Sequence, residues 1–311
     1  MIETKTPSKL EKILSLGHIA VTSECGPPRG SDASEITEKG EIIKDHVDAI
    51  NITDNQTSVT RLCSLAACIH LKTIGLEPTL QMVTRDRNRI GLQSDILGAA
   101  SFDINNILCL SGDHQQFGDC PKGQNVFDLD SMQLIQTVRM MRDEGKFLGG
   151  DDIKRPPKMF VGAAANPFAD PFEIRVPRLA KKIAAGVEFI QTQCIYNLDK
   201  FELWMKQVRD RGLHEKVYIL AGVTPFKSAG MAKYMKNRVP GMDVPDEVVQ
   251  RMSGVPKEKQ PEEGINICVE SIKRLKEVEG VRGFHVMAIE WEDKVPEIVE
   301  RSGLYPRPKL D

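Results

Sequence analysis

Eight short apolar or β-branched runs recur along the chain, and polar or helical stretches separate them: HIAVTSEC, VDAINIT, PTLQMVT, NILCLSG, KMFVGAA, EFIQTQC, KVYILAG and GFHVMAI. Between the later runs, Phe201, Trp204, Met205 and Val208 fall at i, i+3, i+4 and i+7, as do Ile265, Cys268, Val269 and Ile272. That is the spacing of helices that each bury one face. Strand and helix in alternation build βα units around a parallel sheet. Eight such units in 311 residues, modestly more than the roughly 250 typical of the fold, predict an α/β chain folded as one (β/α)8 TIM barrel over residues 1–311. An open doubly wound sheet is the rival. No GxGxxG follows a strand and no GxxxxGK[ST] occurs, so neither nucleotide fingerprint of an open sheet supports it.

Several of the runs end in polar or glycine-rich residues: SECGPPRG, ITDNQT, VTRD, SGDH, AANP, QTQC and GVTP. In a barrel these ends converge on one face, where active sites of this fold are built. Two Gly-, Pro- and charge-rich segments read as loops. HQQFGDCPKGQNVFD, His114 to Asp128, follows a strand and belongs to that face; GGDDIKRPPK precedes a strand and belongs to the opposite one. The connection before the last strand is long, with a turn at Val239 to Asp243, a short helix near Asp246 to Met252 and the polar VPKEKQPEEG. It reads as an elaboration of one domain.

The charge balance narrows the partners. With 42 basic and 44 acidic side chains interleaved, for a net charge of −2, there is no broad basic field for nucleic acid or an anionic membrane. No apolar run approaches the roughly 18 residues of a membrane span, and MIETKTPSKLEK lacks the apolar core of a secretory signal. A cytoplasmic protein with small-molecule or protein partners is expected. The seven cysteines, Cys25, Cys63, Cys68, Cys109, Cys120, Cys194 and Cys268, contain no CxxC, and the six histidines show no HxH or HExxH. No disulfide framework, metal site or iron–sulfur cluster is expected within the chain.

Chemistry is concentrated at the strand ends. Glu24 closes the first strand; carboxylates in a desolvated barrel mouth can act as proton donors near neutrality. A salt bridge to nearby Arg29 is the alternative. Asp113 follows Gly112, which permits close backbone approach to a ligand, and it could stabilise a developing cation or cap the next segment. Together the two carboxylates could serve as acid and electrostatic stabiliser. Thr53 and Asp54 end the second strand, while Gln81 and Gln193 interrupt apolar strands. Buried amides need partners for both donor and acceptor, which a pterin or isoalloxazine ring, the backbone or a buried water would supply. Phe226 stacks on a ligand ring or packs under its loop. Lys182, on the helix after the fifth strand, is ordinary solvated charge unless a phosphate lies near it. Cys25 and Cys194 lie close to these residues without a histidine partner that would make either a nucleophile.

In their order and places, S-x-E-x-x-P-P-like TSECGPP, the Ser111–Gly112–Asp113 run, Thr192–Gln193 and GVTPFKSAGMAKYM resemble the methylenetetrahydrofolate reductase family in its short, barrel-only prokaryotic form. The resemblance runs from VTSECGPPRG to GFHVMAIE. It implies a flavin, FAD or FMN, at the C-terminal face of the barrel, and flavin-dependent reduction of 5,10-methylenetetrahydrofolate to 5-methyltetrahydrofolate. Position by position, it implies that Glu24 is the general acid that protonates N10, and that Asp113 stabilises the resulting 5-iminium cation and tunes the flavin. Hydride would then pass from flavin N5. Gln193 would hydrogen-bond the folate and Phe226 would stack on its aminobenzoate ring. Thr53, Asp54, Gln81, Gly112, Asp113, Phe127, Asn166, Arg178 and Lys182 would contact the flavin, the basic pair suiting its phosphate.

The chain departs from the family pattern at Ser111, usually Arg; at Gln81, usually His; at Cys25 and Gly26, usually aromatic; and at the AIEW run after the last strand, usually LN-R. These departures affect the surroundings of the adenine end and of NAD(P)H. The branch resembles reductases of anaerobic one-carbon pathways, which implies either NAD(P)H or a companion iron–sulfur protein as electron donor, in a homo-oligomer or a hetero-complex. Two other readings stand beside this one: a pterin-binding barrel that passes a methyl group to a corrinoid partner, and a flavin- or folate-binding subunit without catalysis.

Overall fold

The computed structural model describes residues 4–310, so the domain expected over 1–311 is described except for its first three residues and its last. Eight parallel strands close into a barrel in sequence order: β1 (Ala20–Cys25), β2 (Ala49–Ile52), β3 (Pro78–Val83), β4 (Asn106–Leu110), β5 (Phe160–Ala165), β6 (Phe189–Cys194), β7 (Tyr218–Val223) and β8 (Val281–Val286). β8 returns to β1 with Val21 opposite Phe284 and Thr22 opposite His285. Each expected run thus overlaps one strand, and the rival open sheet is excluded.

The helices are α1 (Lys9–Ser15), α2 (Ser34–Ile43), α3 (Ser64–Thr73), α4 (Arg89–Ser101), α5 (Ser131–Asp143), α6 (Arg175–Ala185), α7 (Leu198–Asp210), α8 (Ala229–Arg238), α9 (Asp246–Ser253), α10 (Gln260–Lys276) and α11 (Val295–Arg301). Their starts are chemically marked. Asn88, Asn197 and Ser228 each accept a backbone N–H of the first turn of α4, α7 and α8, and Asp130 with Gln133 forms a capping box on α5, which satisfies donors a helix start leaves open. α10 carries Glu262 and Glu263 in its first turn and Lys273, Arg274 and Lys276 in its last, in accord with the helix dipole. The predicted apolar faces of α7 and α10 are the buried ones. The long connection before β8 consists of α8, α9 and α10.

Strand alternation sorts side chains into two cores. Val21, Ile50, Leu80, Ile107, Val161, Ile190 and Ile219 point outward and pack under the helices. Ala20, Ala49, Leu108, Phe160, Phe189 and Leu220 point inward and meet Leu10, Ile13 and Leu14 of α1. α1 is therefore a plug across the N-terminal end of the barrel, an element the sequence pattern does not single out. Arg307 fastens the C-terminal segment to the same end, with Nε 3.1 Å from Asp48 Oδ1. Asp48 in turn accepts the backbone N–H of Val21 at 2.7 Å. With the bottom filled by apolar side chains, the polar inward positions lie toward the C-terminal mouth. Among the described residues no helix is long and apolar enough to cross a membrane.

Candidate active site

One layer above the apolar plug, inward side chains of several strands form a connected polar network. Asn51 Nδ2 donates to Gln191 Oε1 at 2.7 Å, and Gln191 Nε2 donates to Asn51 Oδ1 at 3.0 Å and to Thr22 Oγ1 at 3.1 Å. Thr22 Oγ1 lies 2.9 Å from His285 Nδ1. The other ring nitrogen of His285, Nε2, lies 3.8 Å from Glu24 Oε2, and Gln81 Nε2 donates to that same oxygen at 2.9 Å. Buried polar groups bonded to one another in this way hold one another in fixed positions. Both neighbours of the Glu24 carboxylate converge on Oε2, which leaves Oε1 for a ligand.

Glu24 is not paired with Arg29, whose guanidinium holds Asp119 at 2.6 Å instead. With 16% of its side chain exposed, Glu24 lines a cavity of about 370 Å³ at the barrel mouth, together with Gln81, Leu110, Asn166, Gln193 and His285. Arg175, Arg178 and Lys182 line the same cavity; their i, i+3, i+7 spacing places them on one face of α6. Gln193 Oε1 accepts the backbone N–H of Cys194 at 3.2 Å, leaving its amide nitrogen for a ligand.

Lys182 is half-buried rather than freely solvated. Burial, reinforced by Arg178, lowers its pKa to about 8, and its Nζ donates to the Ala164 carbonyl at 2.5 Å. No ion pair to it exists among the described residues. A partly desolvated ammonium beside a second cation is disfavoured unless an anion joins it, so this side of the cavity fits a phosphate. The hydroxyl of Thr53 is also buried and has no hydrogen-bond partner among the described residues. A flavin phosphate fits the unmet cations; Thr53 lies outside the cavity lining.

The loops above the mouth are tied together. Gly112 has φ +87°, and a Cβ there would lie 3.0 Å from Val83, so the turn after β4 needs glycine. Gly118 lies so close to the neighbouring loop that a Cβ would lie 1.7 Å from the Ser58 carbonyl oxygen. Next to it, Asp119 accepts the Thr60 backbone N–H at 3.1 Å while holding Arg29. Arg85, buried, donates to the carbonyls of Asp113 at 3.1 Å and Asn55 at 3.2 Å. The carboxylate of Asp113 stands exposed on this rim, outside the cavity lining. Phe127 is also exposed on the rim, with φ +41°.

Three expected contacts need correction. Asp54 is not free for a cofactor: its buried carboxylate pairs with Arg87 at 2.7 Å and accepts the Val83 N–H at 2.9 Å. Phe226 is completely buried and stacks on Tyr196 with ring centroids 4.4 Å apart, so it packs beneath its loop. Asn166 reaches the cavity, but its oxygen accepts the N–H groups of Phe168 and Ala169 and its nitrogen donates to Gly241, so it orders the turn. Sequence reading does not single out Gln191, Arg175 or His285 as site residues. Gln191 had an available signal, since it sits two residues before Gln193 and so shares its inward face.

The family model for methylenetetrahydrofolate reductase matches residues 9–303. Methylenetetrahydrofolate reductase 2 of Schizosaccharomyces pombe is 25% identical over 77% of this chain and 36% of its own length. A probable methylenetetrahydrofolate reductase (NADPH) of Caenorhabditis elegans is 21% identical over 81% of this chain and 36% of its own. The chain thus spans about a third of the length of these curated relatives. Among solved structures, an uncharacterized protein from Clostridium thermocellum that binds two copies of 5-methyl-5,6,7,8-tetrahydrofolic acid shares the fold. It has a TM-score of 0.66 and 13% identity, over 95% of this chain and 98% of that one.

Proposed function

The chain belongs to the methylenetetrahydrofolate reductase family, and on that premise we propose that it reduces 5,10-methylenetetrahydrofolate to 5-methyltetrahydrofolate at the barrel mouth, with Glu24 as the acid. The observation that carries this reading is the placement of Glu24: its carboxylate faces the cavity with one oxygen held by Gln81 and the other available. The methyltetrahydrofolate bound by the Clostridium thermocellum barrel of the same fold supports a folate as ligand.

A bound flavin supplies the two electrons as a hydride, the chemistry belonging to the cofactor. Lys182 and Arg178, with Arg175 beside them, would hold its phosphate, and Gln81, Gly112 and the unpartnered hydroxyl of Thr53 lie on the strand ends that would meet its ring. Glu24 gives its proton to N10 of the substrate, which opens the five-membered ring and leaves a 5-iminium cation. Asp113, exposed on the rim outside the cavity lining, would act on that positive charge through space rather than by contact. Gln193 turns its free amide nitrogen to the pterin. The apolar wall of Leu108, Leu110 and Leu179 limits water at the reacting carbon.

Substituting Glu24→Gln keeps the shape and removes the transferable proton. In anaerobic mixing of the photoreduced protein with methylenetetrahydrofolate, the expected result is a fall of about 10²–10⁴-fold in the rate of flavin oxidation, with visible flavin absorbance retained. An unaltered rate would remove Glu24 from the role of acid. A protein that binds folate but takes up no flavin would favour methyl transfer to a corrinoid partner.

A further inference from the structure

Glu24 lies on the wall between two cavities. The second, about 230 Å³, shares Glu24 and Met287 with the first and is otherwise lined by segments that follow β1, β2 and β8, including Glu35, Lys39, Arg61 and Glu292. The two chambers differ in chemistry. The first has the leucine wall and the phosphate-fitting cations; the second is lined by ionisable groups and has room for water, which occupies cavities that offer polar partners.

We propose that this second chamber is the proton supply of the site, and that Glu292 and Lys39 are positioning residues that pass solvent protons to Glu24. The inference rests on Glu24 being the acid, as argued above. Each turnover leaves a proton on N10 and a carboxylate at Glu24, while ligand and cofactor fill the first cavity. Glu24 must then be recharged from its other side. The Glu24 carboxylate takes a proton from a chamber water, that water takes one from the Glu292 carboxyl, and Glu292 is recharged from solvent. No electrons move in the relay, and one solvent proton is consumed per turnover when the reduced flavin starts as its anion, which has no ring proton to release on oxidation.

The chamber is built for such a relay. Glu292 is buried, and its Oε1 lies 3.7 Å from Lys39 Nζ, which also holds Glu35 at 3.1 Å. Burial pushes Glu292 above the usual carboxylate range, so it can hold a proton nearer neutrality. Burial works against the charge on Lys39, but Glu35 and Glu292 outweigh it and keep the ammonium protonated. The other charged groups that line the chamber are Arg61, ahead of α3, and Glu290, after β8; Lys227, after β7, lies outside the lining, donates from Nζ to the Glu290 carbonyl at 2.9 Å and lowers the pKa of the Glu292 carboxyl by its charge. The Cys25 thiol is coupled electrostatically to both carboxylates. Burial, then Glu292, pushes its thiol up to about 12, so it stays protonated and takes no part.

The test follows electrons and protons separately in one reaction. Photoreduced, flavin-loaded protein is mixed anaerobically with methylenetetrahydrofolate in weak buffer containing a pH-indicator dye; flavin absorbance reports the electrons and the dye reports proton uptake. In the unaltered protein the two signals keep step. With Glu292→Gln, proton uptake is expected to lag flavin oxidation by tenfold or more, and Glu292→Asp should restore most of the coupling. Lys39→Met is read in the same way if Glu292→Gln does not fold. Proton uptake that keeps step with flavin oxidation in both variants would overturn the proposal. If the unaltered reduced protein is not oxidised by the substrate at all, the functional reading itself fails, a result that is distinct from the first.

Discussion

Lys182 shows how a residue's meaning depends on what surrounds it. In sequence it is one of two adjacent lysines on an amphipathic helix; in the barrel it is half-buried beside Arg178, with its pKa lowered to about 8. Anion binding favours its charged form, so the affinity for a flavin phosphate should be full below that value and fall as pH rises through it. Titration of flavin fluorescence at pH 7 and pH 9 should show weaker FMN binding at the higher pH, with riboflavin, which has no phosphate, insensitive. Lys182→Met should cost about 10- to 100-fold in FMN affinity at pH 7 and abolish the pH dependence. FMN and riboflavin responding alike would place the phosphate elsewhere. Glu24, Gln81 and Gln193 are legible in the sequence because polar groups at inward positions near the ends of apolar strands are conspicuous. Asp54 and Phe226 are not, because their partners, Arg87 and Tyr196, lie 33 and 30 positions away in the chain and only folding brings them together. His285 gains its place from Thr22 across the β8–β1 closure, a contact with no local signature.

At the scale of elements, strands and the faces of α7 and α10 follow from periodicity, since alternation of period two and repeats near 3.6 are local properties. α1 does not. Its KLEKILS is too short for periodicity to stand out, and its purpose exists only once the barrel has closed and left an apolar hole to fill. Leu14, completely buried in that plug, makes the element's contribution measurable. Leu14→Ala should destabilise the fold by about 2–5 kcal/mol through lost burial and a residual cavity, seen as a lower urea midpoint with an unchanged slope. A midpoint equal to that of the unaltered protein would show that α1 lies on the barrel without supporting it.

For the whole molecule, the barrel divides its labours between its ends. The N-terminal end is closed by α1 and by Arg307 on Asp48. The C-terminal end is kept open and polar, with its rim loops fastened through Asp119 and Arg85. A rigid scaffold of this kind lets strands distant in sequence contribute single groups to one site. The near-neutral overall charge agrees with the proposed site, in which recognition would fall to the cations of α6 and the amides of β3 and β6. The most direct measurement of the account is anaerobic addition of methylenetetrahydrofolate to the photoreduced, flavin-loaded protein. The expected result is that the flavin is reoxidised and that 5-methyltetrahydrofolate is formed in an equal amount. A flavin that stays reduced in the presence of excess substrate would contradict it.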